Sequence, residues 1–181
     1  MQIYKDRQDC ERSEVETETY RKLCELGIEY ERVDHDAAAT IADCELIEAE
    51  LGTKICKNLF LCNSGKTAFY LLLMPGDKHF KTKEVSHALG ISRLSFAPEE
   101  YLYELMGLKP GSVTVLGLMN DREHRVNLLI DKDITSEEYL GCHPCVNTSS
   151  LKIKMSDILE KFLKSTGHTP TVIELNTEGE H

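Results

Sequence analysis

The sequence predicts a single α/β domain, and three observations lead to that prediction. The chain has 181 residues, which is enough to bury one hydrophobic core without disulfide or metal staples. Segments with helical apolar spacing alternate along it with short apolar runs that are typical of strands. No internal repeat, low-complexity block or interdomain linker interrupts this alternation. One continuous globular unit therefore accounts for the pattern.

The first half of the chain predicts two helices, a strand and a hairpin. Ser13 and Glu16 form a capping-box pattern at the start of a helix that ends at Gly27. A second helix is capped by Thr40 and ends at Gly52. Its apolar stripe consists of Ile41, Cys44, Ile47 and Leu51. Strands are predicted at 28–33, 57–62 and 67–74, and the turn 63–66 joins the last two as a hairpin.

The second half predicts three more helices and four more strands. The helices are expected at 82–89, 98–106 and 155–164, and the strands at 91–96, 113–118, 125–130 and 171–175. The polar connection 120–123 predicts that strands 113–118 and 125–130 pair antiparallel. Residues 141–150 are rich in turn and polar residues, which predicts a loop flanked by short strands. Residues 176–181 are expected to form a disordered tail.

The composition is that of a soluble globular protein. Hydrophobic residues make up 41% of the chain and charged residues 29%, no run approaches the length of a membrane span, and the N-terminus lacks the apolar core of a signal peptide. We therefore expect a cytoplasmic protein with no membrane partner. The seven cysteines are an odd number, which in a chain without an export signal indicates reduced thiols rather than a disulfide framework.

The net charge of −10 limits the possible nucleic-acid partners. Proteins that bind long duplexes usually neutralise phosphates with a basic face, so the charge tells against such a footprint. A short single-stranded end remains compatible with the charge if lysines cluster locally. Much of the acid lies in 11–18 and 174–180, where it indicates an acidic surface that favours solubility.

Several familiar site motifs are matched only in part by the sequence. Cys142, His143 and Cys145 resemble half of a zinc site, but no second paired cluster supplies the remaining ligands. The same two cysteines lack the strand–turn–helix setting of a redox pair. The run 65–67 resembles the end of a phosphate-binding loop, but that motif requires glycine where Phe60 stands. No serine lies in a nucleophile elbow, and we expect no metal and no cofactor.

The strand that begins at Lys57 and Asn58 is the one around which the chain is organised. Leu59 and Leu61 alternate with Phe60 and Cys62, while 69–74 is apolar without a break, as expected of a strand covered on both faces. A lysine at the start of such a rigid strand can direct its ammonium into a cleft.

Three separated segments carry a resemblance to a known family. They read Lys-Asn-Leu-Phe-Leu at 57–61, Lys-Pro-Gly-Ser-Val-Thr at 109–114 and His-Pro-x-x-Asn-Thr at 143–148. In this order and at these separations the chain resembles the YbaK-like aminoacyl-tRNA deacylases. Within that group it is most similar to free-standing prolyl-tRNA synthetase-associated editing domains, which hydrolyse mischarged alanyl-tRNA for proline.

The resemblance implies a fold and a set of partners. The fold is a mixed, mostly antiparallel and partly barrel-like sheet flanked by helices, over a domain that we place at 1–175. The implied partner is the acceptor end of an aminoacyl-tRNA, which a prolyl-tRNA synthetase or an elongation factor could deliver. The oligomeric state stays open.

The resemblance also implies the site residues. The catalytic set is Lys57, Gly111 and His143, of which Lys57 is needed for deacylation and His143 helps to shape the amino-acid pocket. The substrate-binding set is Asn58, Ser112, Val113, Thr114, Val115, Gly141, Asn147 and Thr148. An aminoacyl ester is already activated, so such a site mainly orients it and stabilises an oxyanion. We expect the Lys57 ammonium and backbone amides around Gly111 and Ser112 to do this, with water as the nucleophile.

One residue departs from the family pattern. The loop usually reads Gly-x-x-x-Pro, and here Val115 stands in place of the proline. A valine frees φ and restores a backbone N–H, which predicts a loop that is less preorganised or shaped for another amino acid.

The residues alone leave other interpretations open. Lys57 could be a solvated lysine at a strand end, Gly111 a plain type II turn after Pro110, and His143 a loop cap. Asn147 and Thr148 could form an Asx-type turn. Two other functions are alternatives to deacylation. One is a module that senses an amino acid or a charged tRNA without turnover, and the other is a thiol-based activity at Cys142 and Cys145.

Overall fold

The computed structural model describes residues 3–4, 12–38 and 40–176, which form two β-sheets flanked by helices. The strands are β1 (Ile3–Tyr4), β2 (Tyr30–Asp34), β3 (Lys57–Asn63), β4 (Phe69–Met74), β5 (Leu94–Phe96), β6 (Val126–Asp131), β7 (Tyr139–Cys142), β8 (Ser149–Lys154) and β9 (Thr171–Ile173). The helices are α1 (Glu14–Glu25), α2 (Ile41–Leu51), α3 (Thr82–Leu89), α4 (Glu99–Met106), a 3₁₀ helix (Val115–Asn120), α5 (Lys132–Thr135), α6 (Met155–Asp157), a π-helical turn (Ile158–Phe162) and α7 (Leu163–Thr166).

The two sheets differ in their pairing. The first has the order β1-β2-β8-β7 and is antiparallel throughout. The second has the order β5-β3-β4-β6-β9, in which β5, β3 and β4 are antiparallel while β6 and β9 run parallel to β4. Within the described part of the chain, one isolated parallel bridge between Ile55 and Gly141 links the sheets. The predicted single α/β domain with a mixed, mostly antiparallel sheet is confirmed, and the described strands do not close into a barrel.

Strand β3 separates two apolar clusters. Phe60 and Cys62 belong to the larger core, and Leu61 belongs to a smaller one beneath α3, against which Leu59 packs. Because side chains alternate along a strand, Lys57 lies on the α3 side of the sheet. The unbroken apolar run of β4 also agrees with its prediction, since 71–74 are fully buried.

The capping residues agree closely with their predictions. The Ser13 hydroxyl accepts a hydrogen bond from the Glu16 amide at the start of α1. Thr40 and Asp43 form a complete capping box at the start of α2, and Gly52 ends that helix in the left-handed conformation.

The strand predicted at 113–118 is wrong. The chain forms the 3₁₀ helix there, which begins where the Thr114 hydroxyl accepts a hydrogen bond from the Leu116 amide. A short apolar run has no periodicity that separates a buried helical turn from a strand. The antiparallel pairing expected for this segment is also wrong, because β6 instead lies parallel between β4 and β9.

Part of the acidic surface expected near the N-terminus is buried. Glu16 is 5% exposed, accepts a hydrogen bond from the Tyr20 hydroxyl at 2.9 Å and pairs with Arg12. Arg12 also bonds Asp34 on β2 at 2.9 Å. The pairing allows this carboxylate to enter the core.

Two further differences concern a predicted helix and a predicted strand. The predicted helix 155–164 contains the π-helical turn, and β5 begins at Leu94 rather than at residue 91. Of the tail predicted to be disordered, residues 177–181 lie outside the described part of the chain. Among the described residues, none of the helices combines the length and apolar character needed to cross a membrane.

Candidate active site

A cleft of about 710 Å³ opens where α2, the start of β3 and several loops meet. It brings together four of the residues predicted from the sequence, which are Lys57, Gly111, His143 and Asn147. Its other lining residues are Ala38, Cys44, Glu45, Ile47, Glu48, Lys54, Ile55, Cys56, Gly76 and Asp77. Segments that are far apart in the chain therefore converge on one open space.

Lys57 is half-buried and held in place by one hydrogen bond. Its ammonium donates to the backbone carbonyl of Lys78 across 2.6 Å. The backbone of Lys57 pairs with Met74 on β4, and the tight turn 75–78 then brings the Lys78 carbonyl back to the lysine side chain. The backbone of Lys57 is thus paired with β4, and its ammonium is bonded to the turn that follows β4.

Gly141 contacts the segment that leads into Lys57. Its carbonyl accepts a hydrogen bond from the Cys56 amide at 3.2 Å. A Cβ at this position would lie 2.4 Å from the Lys54 carbonyl oxygen, so only glycine permits the contact. Gly141 is buried and does not line the cleft, so the structure gives it a supporting position rather than the predicted substrate contact.

His143 is held in one tautomer. Its Nδ1 lies 2.9 Å from the Ser149 carbonyl oxygen, and because a carbonyl only accepts hydrogen bonds, Nδ1 carries the proton. Burial lowers the pKa of His143, since desolvation disfavours the imidazolium, and the nearby His35 acts in the same direction. The ring is therefore neutral at neutral pH, and Nε2 is a hydrogen-bond acceptor.

Gly111 lies in the type II turn that Pro110 before it predicts. It has φ of 85° after Pro110, and the Ser112 amide donates to the Lys109 carbonyl at 3.1 Å. A Cβ on Gly111 would lie 3.5 Å from the Asn147 side-chain amide, so these two lining residues are neighbours. The turn therefore already uses the Ser112 amide, which is one of the groups that the sequence predicts as an oxyanion contact.

The remaining predicted binding residues lie outside the cleft. Thr114 and Val115 are fully buried, and Ser112 is 5% exposed. Val113 packs against the main core. Val115 is a core residue at the start of the 3₁₀ helix, so the departure from the expected proline lies behind the loop and not at the cleft surface.

Asn58 and Thr148 also point elsewhere. The Asn58 side chain donates to the Cys56 carbonyl at 3.1 Å, which ties the turn before β3 to the strand. Thr148 is exposed in a separate depression that Arg12 and Asp34 help to line. Its carbonyl accepts a hydrogen bond from the His35 amide at 3.0 Å.

The cysteines of the Cys-x-x-Cys pattern are buried thiols. Burial raises the pKa of Cys145 to about 11 and raises that of Cys142 well above its usual value. A protonated, buried thiol is a poor nucleophile. No group of three or more His, Cys, Asp or Glu side chains among the described residues could hold a metal ion.

Sequence reasoning missed the acidic wall of the cleft. Helix α2 contributes Glu45 and Glu48, and the turn 75–78 contributes Asp77. The Glu48 carboxylate also accepts a hydrogen bond from the Ile55 amide at 2.9 Å. The i,i+3 spacing of the two glutamates, close to Lys54 and Lys57, is the signal that could have revealed a mixed-charge site.

Comparisons with known proteins find similar sequences over most of the chain. Residues 35–161 match the family model of the aminoacyl-tRNA editing domain. The prolyl-tRNA editing protein ProX of Acetoanaerobium sticklandii is 34% identical over 154 residues, which cover 85% of this chain and 93% of that protein. The prolyl-tRNA synthetase associated domain-containing protein 1 of Danio rerio is 30% identical over 156 residues, or 85% of this chain and 84% of that protein.

The fold has a counterpart among solved structures. A crystal structure assigned to a trans-editing enzyme for prolyl tRNA synthetase superposes with a TM-score of 0.66 at 16% identity, covering 92% of this chain and all of that one. At that identity the likeness concerns the fold alone. The matches to the family model and to the Acetoanaerobium protein go further, and together they show that this chain belongs to the aminoacyl-tRNA editing domain family.

Proposed function

We propose that this protein is a trans-editing hydrolase that deacylates mischarged tRNA, with alanyl-tRNA for proline as its main substrate. The observation that carries the proposal is the cleft in which Lys57, Gly111, His143 and Asn147 meet. Membership of the editing family supports the reaction class. The prolyl-tRNA editing function named for the Acetoanaerobium relative supports the choice of tRNA.

The proposed reaction is the hydrolysis of the ester between an amino acid and the 3′-terminal ribose. A water oxygen bonds to the carbonyl carbon, the bond from that carbon to the ribose oxygen breaks, and the ribose oxygen leaves with a proton. The products are a free amino acid and an uncharged tRNA. The ammonium of Lys57 supplies positive charge for the carbonyl oxygen as the oxyanion develops.

The charges of the cleft complement an aminoacyl group. Its carbonyl oxygen becomes negative during the reaction, which suits Lys57, while its α-ammonium is positive and suits the neutral His143 and the carboxylate of Glu45. A protonated histidine would repel that ammonium. The lowered pKa of His143 therefore favours binding of the substrate near neutral pH.

Selectivity would follow from size. A synthetase site cannot strongly reject an amino acid smaller than its own, so a second site hydrolyses the small products that fit it. The cleft is roomier than an alanyl group requires, so we propose that the terminal nucleoside of the tRNA enters with it. Alanine would then occupy the part beside His143.

The test is a panel of tRNAs for proline charged with alanine, cysteine, serine or proline. We expect alanyl-tRNA to lose its amino acid fastest and prolyl-tRNA to stay charged. Hydrolysis of none of the four would contradict the proposal. Binding of charged tRNA without hydrolysis would instead support the sensing module considered above.

An acidic protein still needs a place for tRNA phosphates, and a basic groove beside α3 offers one. The α3 groove has a volume of about 530 Å³ and is lined by Thr82, Lys83, Ser86, His87, Ile91 and Arg93, with no carboxylate among these residues. Helix α3 lies on the Lys57 side of the sheet. It begins four residues after Lys78, and an extended chain of that length spans at most about 14 Å.

We expect the Lys83→Ala, Arg93→Ala double variant to bind charged tRNA more weakly. A plot of log affinity against log salt has a negative slope. Loss of two phosphate contacts would make this slope less steep by about 1.4–1.8. The measurement is the KM for alanyl-tRNA at several salt concentrations, compared with the KM for alanyl-adenosine, which has no phosphates. The Arg122→Ala, Lys164→Ala double variant removes the same charge elsewhere on the surface. A KM that rises equally for both substrates, or equally in both variants, would exclude the groove.

A further inference from the structure

A buried ion cluster lies directly behind the carbonyl that holds Lys57. The side chain of Lys78 is 4% exposed, and its ammonium contacts both oxygens of the fully buried Asp131, at 3.0 and 2.9 Å. The same ammonium bonds the Leu175 carbonyl at 2.9 Å and contacts the exposed Asp133 carboxylate at 2.9 Å. Although burial acts against it, the bonds to Asp133 and Asp131 raise the pKa of Lys78 overall.

The partners of Lys78 belong to elements that carry no residue of the cleft. Asp131 ends β6 and caps α5, where its carboxylate accepts a hydrogen bond from the Asp133 amide at 2.9 Å. Leu175 follows β9 and is buried. The ammonium of Lys78 therefore ties the turn 75–78 to the two parallel strands at the far side of the sheet.

A buried ion pair is poor evidence for stability by itself. Desolvation of both charges offsets most of their attraction, and well-packed apolar residues often replace such a pair without loss. What this cluster does specify is the position of the turn 75–78. The Lys78 carbonyl in that turn accepts the Lys57 hydrogen bond of 2.6 Å, so the two interactions share one residue.

We propose that Lys78 and Asp131 are positioning residues, which hold the Lys78 carbonyl in the place that orients the ammonium of Lys57 in the cleft. The inference rests on the proposed function only for the role of Lys57 in deacylation. A lysine side chain has many accessible rotamers, and a fixed acceptor removes part of that freedom before the substrate arrives. A shift of about 1 Å in a reacting group can cost on the order of 100-fold in rate.

The test compares two buried carboxylates at opposite ends of β6. Asp131→Asn weakens the cluster behind Lys57, whereas Asp121→Asn weakens the 2.9 Å hydrogen bond between His168 and Asp121, whose side chains are 4% and 2% exposed. Both variants are studied below their melting temperatures. The readouts are kcat and KM for alanyl-tRNA, and the rate at which acetic anhydride modifies Lys57 at fixed pH, followed by mass spectrometry.

We expect Asp131→Asn to lower kcat by about 10-fold to 100-fold with little change in KM, and to speed modification of Lys57. Asp121→Asn should leave both readouts of the folded protein unchanged. If Asp131→Asn does not fold, Asp133→Asn weakens the same cluster from its exposed side, and we expect smaller changes in the same direction.

Two results would overturn the inference. One is an unchanged modification rate of Lys57 in the Asp131 and Asp133 variants, and the other is an equal loss of kcat in the Asp121 and Asp131 variants. A wild-type protein that hydrolyses no charged tRNA would instead contradict the proposed function. In that case the modification rate of Lys57 still decides whether the cluster positions its ammonium.

Discussion

Replacing Lys57 with alanine should lower kcat/KM for alanyl-tRNA by about 10²–10³-fold, the usual effect of losing one oxyanion-stabilising group. The ammonium is the half-buried cation of the cleft and already has a fixed direction through the Lys78 carbonyl. Alanine leaves the ester bound but removes the charge that stabilises its oxyanion. Single-turnover deacylation of alanyl-tRNA measures this loss in the chemical step.

Lys66→Ala is the matched control for Lys57→Ala. Lys66 lies in the exposed turn at the other end of the same hairpin, so its loss changes the net charge equally and leaves the cleft intact. We expect its deacylation rate to equal that of the wild type. A Lys57→Ala rate within a factor of two of this control would show that the ammonium takes no part in the chemical step.

Gly141→Ala should both destabilise the fold and slow deacylation. The new Cβ would lie 2.4 Å from the Lys54 carbonyl oxygen and 3.0 Å from the Ile55 Cα, and backbone atoms cannot rotate away as a side chain can. Overpacking of this kind costs about 1–3 kcal/mol, with a fall in Tm of roughly 2–4 °C for each kcal/mol. The segment 54–56 must move, and Lys57 moves with it.

Gly65→Ala provides the comparison for this second variant. A Cβ there would meet nothing closer than the Thr67 hydroxyl at 3.8 Å, so we expect stability within about 0.5 kcal/mol of the wild type. Thermal unfolding and deacylation are measured on both proteins. If Gly141→Ala left Tm and activity unchanged, the two sheets could move apart at the Ile55–Gly141 bridge, the only one described between them, without loss of stability.

Local signals predicted much of the fold correctly. Helix caps such as Thr40 and Gly52 act within a few residues, so their chemistry can be read directly from the chain. The hairpin of β3 and β4 follows from alternation and a polar turn in the same way. The 3₁₀ helix at 115–120 was missed because an apolar run of that length suits either a buried turn or a buried strand.

The cleft brings together only some of the predicted site residues, and the reason differs from that for the fold. Lys57, Gly111, His143 and Asn147 were singled out through motif order, and motif order carries no information on which atoms face solvent. Ser112 lies beside Gly111 in the chain, but the turn uses its amide.

Long-range pairing was beyond what the sequence could predict. Lys78 lies in a turn and Asp131 at a strand end, 53 residues apart. Nothing in the local pattern around either residue indicates that they meet in the core. The acidic face of α2 was missed for a related reason, because a helix that borders a cleft has the same spacing as one that borders solvent.

The bond between Lys57 and the Lys78 carbonyl also decides how many hydrogens remain for a substrate. An ammonium has three N–H groups, and this bond occupies one of them. The other two lie at tetrahedral angles to it, so this hydrogen bond limits the directions in which the ammonium can donate. One of these N–H groups can donate to the ester carbonyl and the other to a ribose or phosphate oxygen. The geometry of the tRNA end would then be part of the recognition.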